Sequence, residues 1–149
     1  MKKILFLIVL LYAFSGCRPT YNEEINFTSN EWKRMETVNF QVVLEDPGRY
    51  DVFVRIYYND QMQGDYFAMS LMMYPPSGEE RYLEQNEKLF VEGQATGEQN
   101  EEGYYEFEMD FFKDLNLSQE GLYEFVARNR MPAYKVKGIQ RIEILLKHV

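Results

Sequence analysis

Residues Tyr104–Phe112 carry the strongest constraint in the chain. Tyr105, Phe107, Met109 and Phe111 alternate there with Glu106, Glu108 and Asp110. A period of two puts successive side chains on opposite faces of an extended strand, whereas a helix would scatter the same acids and aromatics around its circumference. The pattern recurs. Val38–Val42 alternates. Tyr50–Tyr58 sets Tyr50, Val52, Val54, Ile56 and Tyr58 against Asp51, Phe53, Arg55 and Tyr57. Gly121–Asn129 opposes Tyr123, Phe125 and Ala127 to Leu122, Glu124 and Val126, and Ile139–Leu146 opposes Ile142, Ile144 and Leu146 to Arg141 and Glu143. Tyr66–Tyr74 is apolar throughout and closes on Pro75-Pro76-Ser77-Gly78, which favours a buried strand although periodicity alone also admits a short helix. Asp46-Pro47-Gly48 is a turn, residues 59–65 and 93–103 are polar loops, and Arg81–Phe90 is weakly patterned. No segment shows an apolar stripe of helical length. Six or seven strands punctuated by turns predict one all-β domain, an antiparallel β-sandwich or jelly roll.

The N-terminus obeys different rules. Lys2 and Lys3 precede an apolar run from Ile4 to Phe14, followed by Ser15, Gly16 and Cys17. Basic residues, a short apolar stretch and small residues before a cut site describe a secretory signal. The run is shorter than the roughly 20 residues a helix needs to cross a bilayer. Phe14-Ser15-Gly16-Cys17 resembles the lipobox of bacterial lipoproteins, with Phe14 in place of the commoner Leu. The resemblance implies a signal peptide over residues 1–16 and lipid on Cys17. The polar stretch that follows shows little apolar periodicity and reads as a tether over residues 17–30, joining the fold near Ile25 and Phe27, ahead of the β-sandwich over residues 31–149. Acyl burial contributes about 0.8 kcal/mol per CH₂, so two or more chains anchor stably. Cys17 is also the only cysteine in the chain, and lipidation accounts for an otherwise unpaired thiol in an exported protein.

The formal charge is −8, and it becomes more negative once Lys2 and Lys3 leave with the signal. An acidic domain disfavours nucleic acid and gains no electrostatic pull toward anionic headgroups, so lipid rather than charge would hold it to a membrane. One cysteine permits no internal disulfide. Stability must come from packing, for which 11 Phe and 12 Tyr supply large apolar areas.

Candidate chemistry is sparse. The single histidine, His148, is next to the C-terminus, where fraying is expected. With Cys17 lipidated, nucleophilic triads and zinc sites lack members, so no catalytic residue, cofactor or metal is expected. Glu106, Glu108 and Asp110 share one strand face with neighbours about 6.5–7 Å apart, a spacing found between inverting-glycosidase carboxylates. Acids opposite aromatics are also what any half-exposed strand shows, and that reading is preferred. Asn100-Glu101-Glu102 and the pair Asp60 and Asp65 offer oxygen ligands without matching a calcium motif. Tyr57, Tyr58, Tyr66, Tyr104 and Tyr105 are candidates for a sugar-stacking platform, with Tyr57, Tyr58 and Tyr104 foremost, although packing suits them better. Trp32 reads as a plug at a strand edge.

Several features fall in a recognisable order. Asn30-Glu31-Trp32-Lys33 leads into Val38-Asn39-Phe40. Tyr50–Tyr58 ends at Asn59, and Leu71–Tyr74 ends at a Pro-rich turn with Gly78. Gly121-Leu122-Tyr123-Glu124-Phe125 precedes Arg130-Met131-Pro132, then Gly138-Ile139 and Ile142-Glu143-Ile144. With its lipoprotein signal, the chain resembles the gliding-motility lipoproteins of the GldH family of the Bacteroidota. Each motif is weak alone, their order spans nearly the whole chain, and the acidic Tyr104–Phe112 strand departs from the family pattern. The resemblance implies a non-enzymatic lipoprotein, anchored in the outer membrane on its periplasmic or surface face. Its role would be structural or in assembly, through contacts with envelope proteins. The alternative is a carbohydrate-binding lipoprotein of a glycan-uptake system.

Overall fold

The computed structural model describes residues 20–149, so the signal peptide expected over residues 1–16 and the lipid expected on Cys17 lie outside the described residues. Tyr50–Tyr58 becomes β4 (Gly48–Tyr58), the middle strand of a five-stranded sheet. It pairs antiparallel with β13 (Ile139–His148) on one side and β10 (Tyr105–Leu117) on the other. β1 (Thr20–Asn26) extends the sheet beyond β13, and β9 (Glu98–Gln99) extends it beyond β10. The second sheet runs β3 (Thr37–Leu44), β11 (Gly121–Asn129), β5 (Tyr66–Tyr74) and β6 (Arg81–Lys88), again antiparallel. Two short ribbons pair β2 (Glu31–Lys33) with β12 (Lys135–Lys137) and β7 (Phe90–Val91) with β8 (Gln94–Ala95). The chain is an all-β antiparallel sandwich. Among the described residues one 3-10 turn, Thr28–Asn30, is the only helical element.

The inner faces are those the alternation predicts. Val52, Val54 and Ile56 of β4 and Ile142, Ile144 and Leu146 of β13 are fully buried, in one core with Phe40 and Leu44 of β3, Phe125 of β11 and Leu71 of β5. Burying each such side chain stabilises the fold by about 1.5–3 kcal/mol. Trp32 stands on β2, which pairs with β12 alone, and its side chain is fully buried in the core, as a plug at a strand edge would be. It stacks on Phe27 with centroids 5.0 Å apart, approaches Phe67 at 5.8 Å, and donates its indole N–H to the Glu36 carbonyl at 2.9 Å.

The registers give the sandwich two distinct poles. Thr20 pairs with Lys147, and Leu44 with Gly121, while His148 pairs with Tyr50, so these residues share one pole with the turn at 45–47. Asn26, Tyr58, Thr37, Arg128 and Ile139 lie at the other pole, together with both ribbons. Turns at the first pole are tied back by tyrosines. Tyr50 donates its hydroxyl to the Asp46 carbonyl at 2.6 Å, and Tyr123 donates to Gln119 at 3.0 Å. At the second pole Gly138 has φ +82°, and a Cβ there would stand 2.6 Å from the Met62 nitrogen, so only glycine fits.

Three expectations are corrected. The tether expected over residues 17–30 gives way at Thr20 to a fully paired strand. Its alternation is hidden because the inward residues are Tyr21, Glu23 and Ile25. The Tyr21 hydroxyl accepts the backbone N–H groups of Glu45 and Asp46 at 3.2 Å, and Glu23 accepts that of Gln41. A carboxylate and a phenol thus join the two sheets where apolar residues were sought. The weakly patterned Arg81–Phe90 contains the edge strand β6, and the polar loop 93–103 contains β8 and β9. His148 does not fray: its ring meets Tyr50 edge-on at 5.0 Å, because the last strand is held between β1 and β4.

Candidate functional site

The three carboxylates of β10 fall on the outward face of the five-stranded sheet, where cross-strand pairing decides their neighbours. Glu106 sits opposite Tyr57, Glu108 opposite Arg55, and Asp110 opposite Phe53. On the other side of β4, Arg141 faces Tyr57, Glu143 faces Arg55, and Leu145 faces Phe53. Arg55 therefore stands between two carboxylates, paired with Glu108 and, at 3.2 Å, with Glu143. Glu108 also receives Lys147 at 2.9 Å. Glu143 is buried, and its oxygens accept the Tyr57 hydroxyl at 2.9 Å and the Asn22 amide at 2.9 Å. Its charge is satisfied from three sides, as burial of a carboxylate requires.

Electrostatics follow this geometry. Burial raises the Glu108 carboxyl, but Lys147 and Arg55 outweigh it and hold the group below the usual carboxylate range. Burial opposes the Arg55 charge, yet Tyr57 and Glu108 push its guanidinium above its ordinary value. Tyr57 is raised, first by burial and then by Glu143. A glycosidase acid needs a raised carboxyl pKa. Glu108 is shifted the other way, so this row does not supply one. Asp110 is engaged by Lys113 at 3.4 Å. Glu106 accepts from the Asn100 amide at 3.2 Å and lies directly opposite Glu98 in the ladder, a like-charge pairing that costs stability. Arg55, Glu98, Glu106 and Glu108 border a cavity of about 280 Å³.

The tyrosines do not make a stacking platform. Tyr58 is fully buried and donates to the Leu89 carbonyl at 2.8 Å, packed against Phe90 and Tyr105. Tyr57 is buried beneath Arg141, whose guanidinium lies 3.9 Å from the ring centroid, so its face is already occupied by a cation. Tyr104 is half-buried and its hydroxyl accepts the Asn30 amide at 2.9 Å. Tyr66, the first residue of β5, is exposed. Asn100 uses its side-chain oxygen to cap its own loop, accepting the N–H groups of Glu102 and Tyr104 at 3.0 Å each. Glu102 is drawn instead to Gln140 and Arg141, which lower its pKa. Among the described residues no group of three or more His, Cys, Asp or Glu is placed to hold a metal ion, and no helix is long and apolar enough to cross a membrane.

A further cavity lies elsewhere, at the pole away from Thr20. It measures about 690 Å³ and is bordered by Arg34, Arg128 and Arg130. None of these arginines is a candidate site residue in the sequence, where Arg130 enters only through Arg130-Met131-Pro132. The available signal was Arg128-Asn129-Arg130 in an otherwise acidic chain.

No family model and no curated protein sequence matches the chain. Among solved structures it is similar to part of the dimeric latent PorU from Porphyromonas gingivalis, at 14% identity over 87% of this chain with TM-score 0.41. It is also similar to part of the infectious bursal disease virus Gx strain structure, at 10% identity over 88% of this chain with TM-score 0.34. The chain spans 13% and 30% of those two chains, and similarities this distant carry no functional content.

Proposed function

We propose that this chain is a lipid-anchored, non-catalytic lipoprotein of the cell envelope that acts by holding other envelope proteins. Gliding-type motility, the setting of the GldH family it resembles, is the first process to examine. The observation that carries the reading is the start of β1. Thr20 lies three residues after Cys17 and is already paired in the sheet. Three residues span at most about 10 Å. A lipid on Cys17 would therefore hold the Thr20 pole against the bilayer and turn the ribbon-bearing pole away from it. Such a domain presents a fixed surface at a fixed height, which suits assembly better than a long flexible tether would. The ion-paired outer face of the five-stranded sheet supports the same reading, since its carboxylates are committed to neighbours.

Metabolic labelling with an alkyne fatty acid, followed by membrane fractionation, tests the anchor. Wild-type protein should carry label and sediment with membranes. Cys17→Ala should be unlabelled and appear in the soluble fraction. Label persisting in Cys17→Ala, or wild type left unlabelled in the soluble fraction, would overturn the reading.

A further inference from the structure

Arg34 belongs to the turn between β2 and β3, Arg128 stands opposite Thr37 near the end of β11, and Arg130 follows that strand directly. The two sheet pairings bring residues about a hundred positions apart into one cavity of about 690 Å³. Two of the three arginines, Arg34 and Arg128, carry no ion pair among the described residues, and Arg130 carries one. Arg34 donates one N–H to the Pro132 carbonyl at 3.3 Å, and Arg130 meets Glu84 through its Nε at 3.2 Å. Among the described residues neither Arg34 nor Arg128 has a carboxylate within 4.0 Å. In a chain with 24 acidic and 16 basic residues, this is a local reversal of sign. The guanidinium forks retain donors suited to bidentate capture of carboxylates.

The surroundings are apolar as well as basic. Met35 is 84% exposed and Tyr134 68% exposed, both on the cavity wall. On the outer face of the second sheet, the row next to Arg128 runs Val126, Met72, Tyr82 across β11, β5 and β6. Arg, Tyr and Met are the residue types enriched where proteins meet. The surface thus offers cationic forks at one end and an apolar strip beside them.

The geometry points to a docking site for an acidic polypeptide segment of a partner protein. Its carboxylates would take the forks of Arg34, Arg128 and Arg130, and its apolar side chains would lie on Met35, Tyr134 and the neighbouring row. This inference deepens the reading of a partner-holding lipoprotein and rests on it. A lipid surface fits poorly, because β1 alone separates this pole from Thr20 by about 20 Å at the usual strand rise. Nucleic acid fits poorly too, since three arginines make no continuous track on a chain of charge −8.

The test measures binding of a fluorescein-labelled peptide of four Glu-Glu-Tyr repeats to the full chain purified in detergent. Phosphatidylglycerol vesicles and inorganic phosphate serve as competitors. Binding should weaken about tenfold or more in the triple variant Arg34→Gln, Arg128→Gln, Arg130→Gln and by a few-fold in each single variant. Arg49→Gln, at the other pole, should leave it unchanged. A peptide of four Lys-Lys-Tyr repeats should not bind. Thermal melting checks that the surface variants remain folded, and Met35→Ser with Tyr134→Ser tests the apolar contribution without touching charge. Undiminished binding in the folded triple variant, absent binding in wild type, or displacement by vesicles or phosphate more readily than by unlabelled peptide would each overturn the proposal. Cys17→Ala protein should bind the peptide like wild type, so a failed anchor and a failed docking site give different results.

Discussion

Arg55→Met removes the charge at the centre of the outer-face ladder and keeps most of the side chain's apolar length. Glu143, whose side chain is 9% exposed, then depends on Tyr57 and Asn22 alone. Glu108, 31% exposed, keeps Lys147. Breaking a fully buried pair costs about 3–5 kcal/mol, and an exposed pair is worth about 1 kcal/mol or less. Arg55 is itself 26% exposed, which places the loss between these limits, at about 2–3 kcal/mol. For a domain of this size each kcal/mol lowers Tm by roughly 3–5 °C, giving a fall of about 6–15 °C. Thermal melting by circular dichroism at neutral pH measures it. Adding Glu143→Gln should restore half or more, because the stranded charge is then gone. The pH dependence has a definite sign. Glu108 is lowered in the fold from its ordinary value of 4.5. The stability it contributes is present above that value and is lost as pH falls below it through the folded pKa. The difference between wild type and Arg55→Met should therefore shrink on acidification below about 4.5. A Tm change under about 2 °C, or no rescue by Glu143→Gln, would refute the claim that Glu143 depends on Arg55.

Other outcomes follow from the same structure. Trp32→Ala should destabilise by about 3–5 kcal/mol, read by denaturant unfolding, because it empties the contact between the β2–β12 ribbon and the core. Gly138→Ala should cost more than about 1 kcal/mol through its positive φ and the close Met62 backbone, while Gly64→Ala, with open space around it, should cost less. Tyr50 is pushed up to about 12 by burial, with Tyr21 and Asp46 adding to it. A raised acid contributes stability below its ordinary value of 10, lost as pH rises through the folded value. Tyr50→Phe should therefore flatten the loss of stability between those two pH values, measured by alkaline melts.

Strands with apolar residues on one face were legible down to the residue. The inward set Tyr50, Val52, Val54, Ile56 and the outward set Glu106, Glu108, Asp110 stand where alternation puts them. Strands whose inward face is polar were not. Glu23 and Tyr21 make β1 look like a tether, and Gln85 and Glu87, half-buried on β6, erase its period. The site was legible only in part, for a related reason. Alternation says that Tyr57 points away from the core, but not that Arg141 covers it, because cross-strand neighbours come from distant sequence. The arginine cavity is the extreme case, since Arg34 and Arg128 border one cavity through strand pairing between residues far apart in sequence.

Lipid on Cys17 should hold the Thr20 pole to the membrane and leave the arginine-bearing pole free. Quenching from labelled headgroups in proteoliposomes, with fluorophores placed singly at Gln119 and at Tyr134, reads this orientation. Quenching should be strong at Gln119, in the turn before β11 at the Thr20 pole, and slight at Tyr134. Equal quenching at both sites, or stronger quenching at Tyr134, would contradict it.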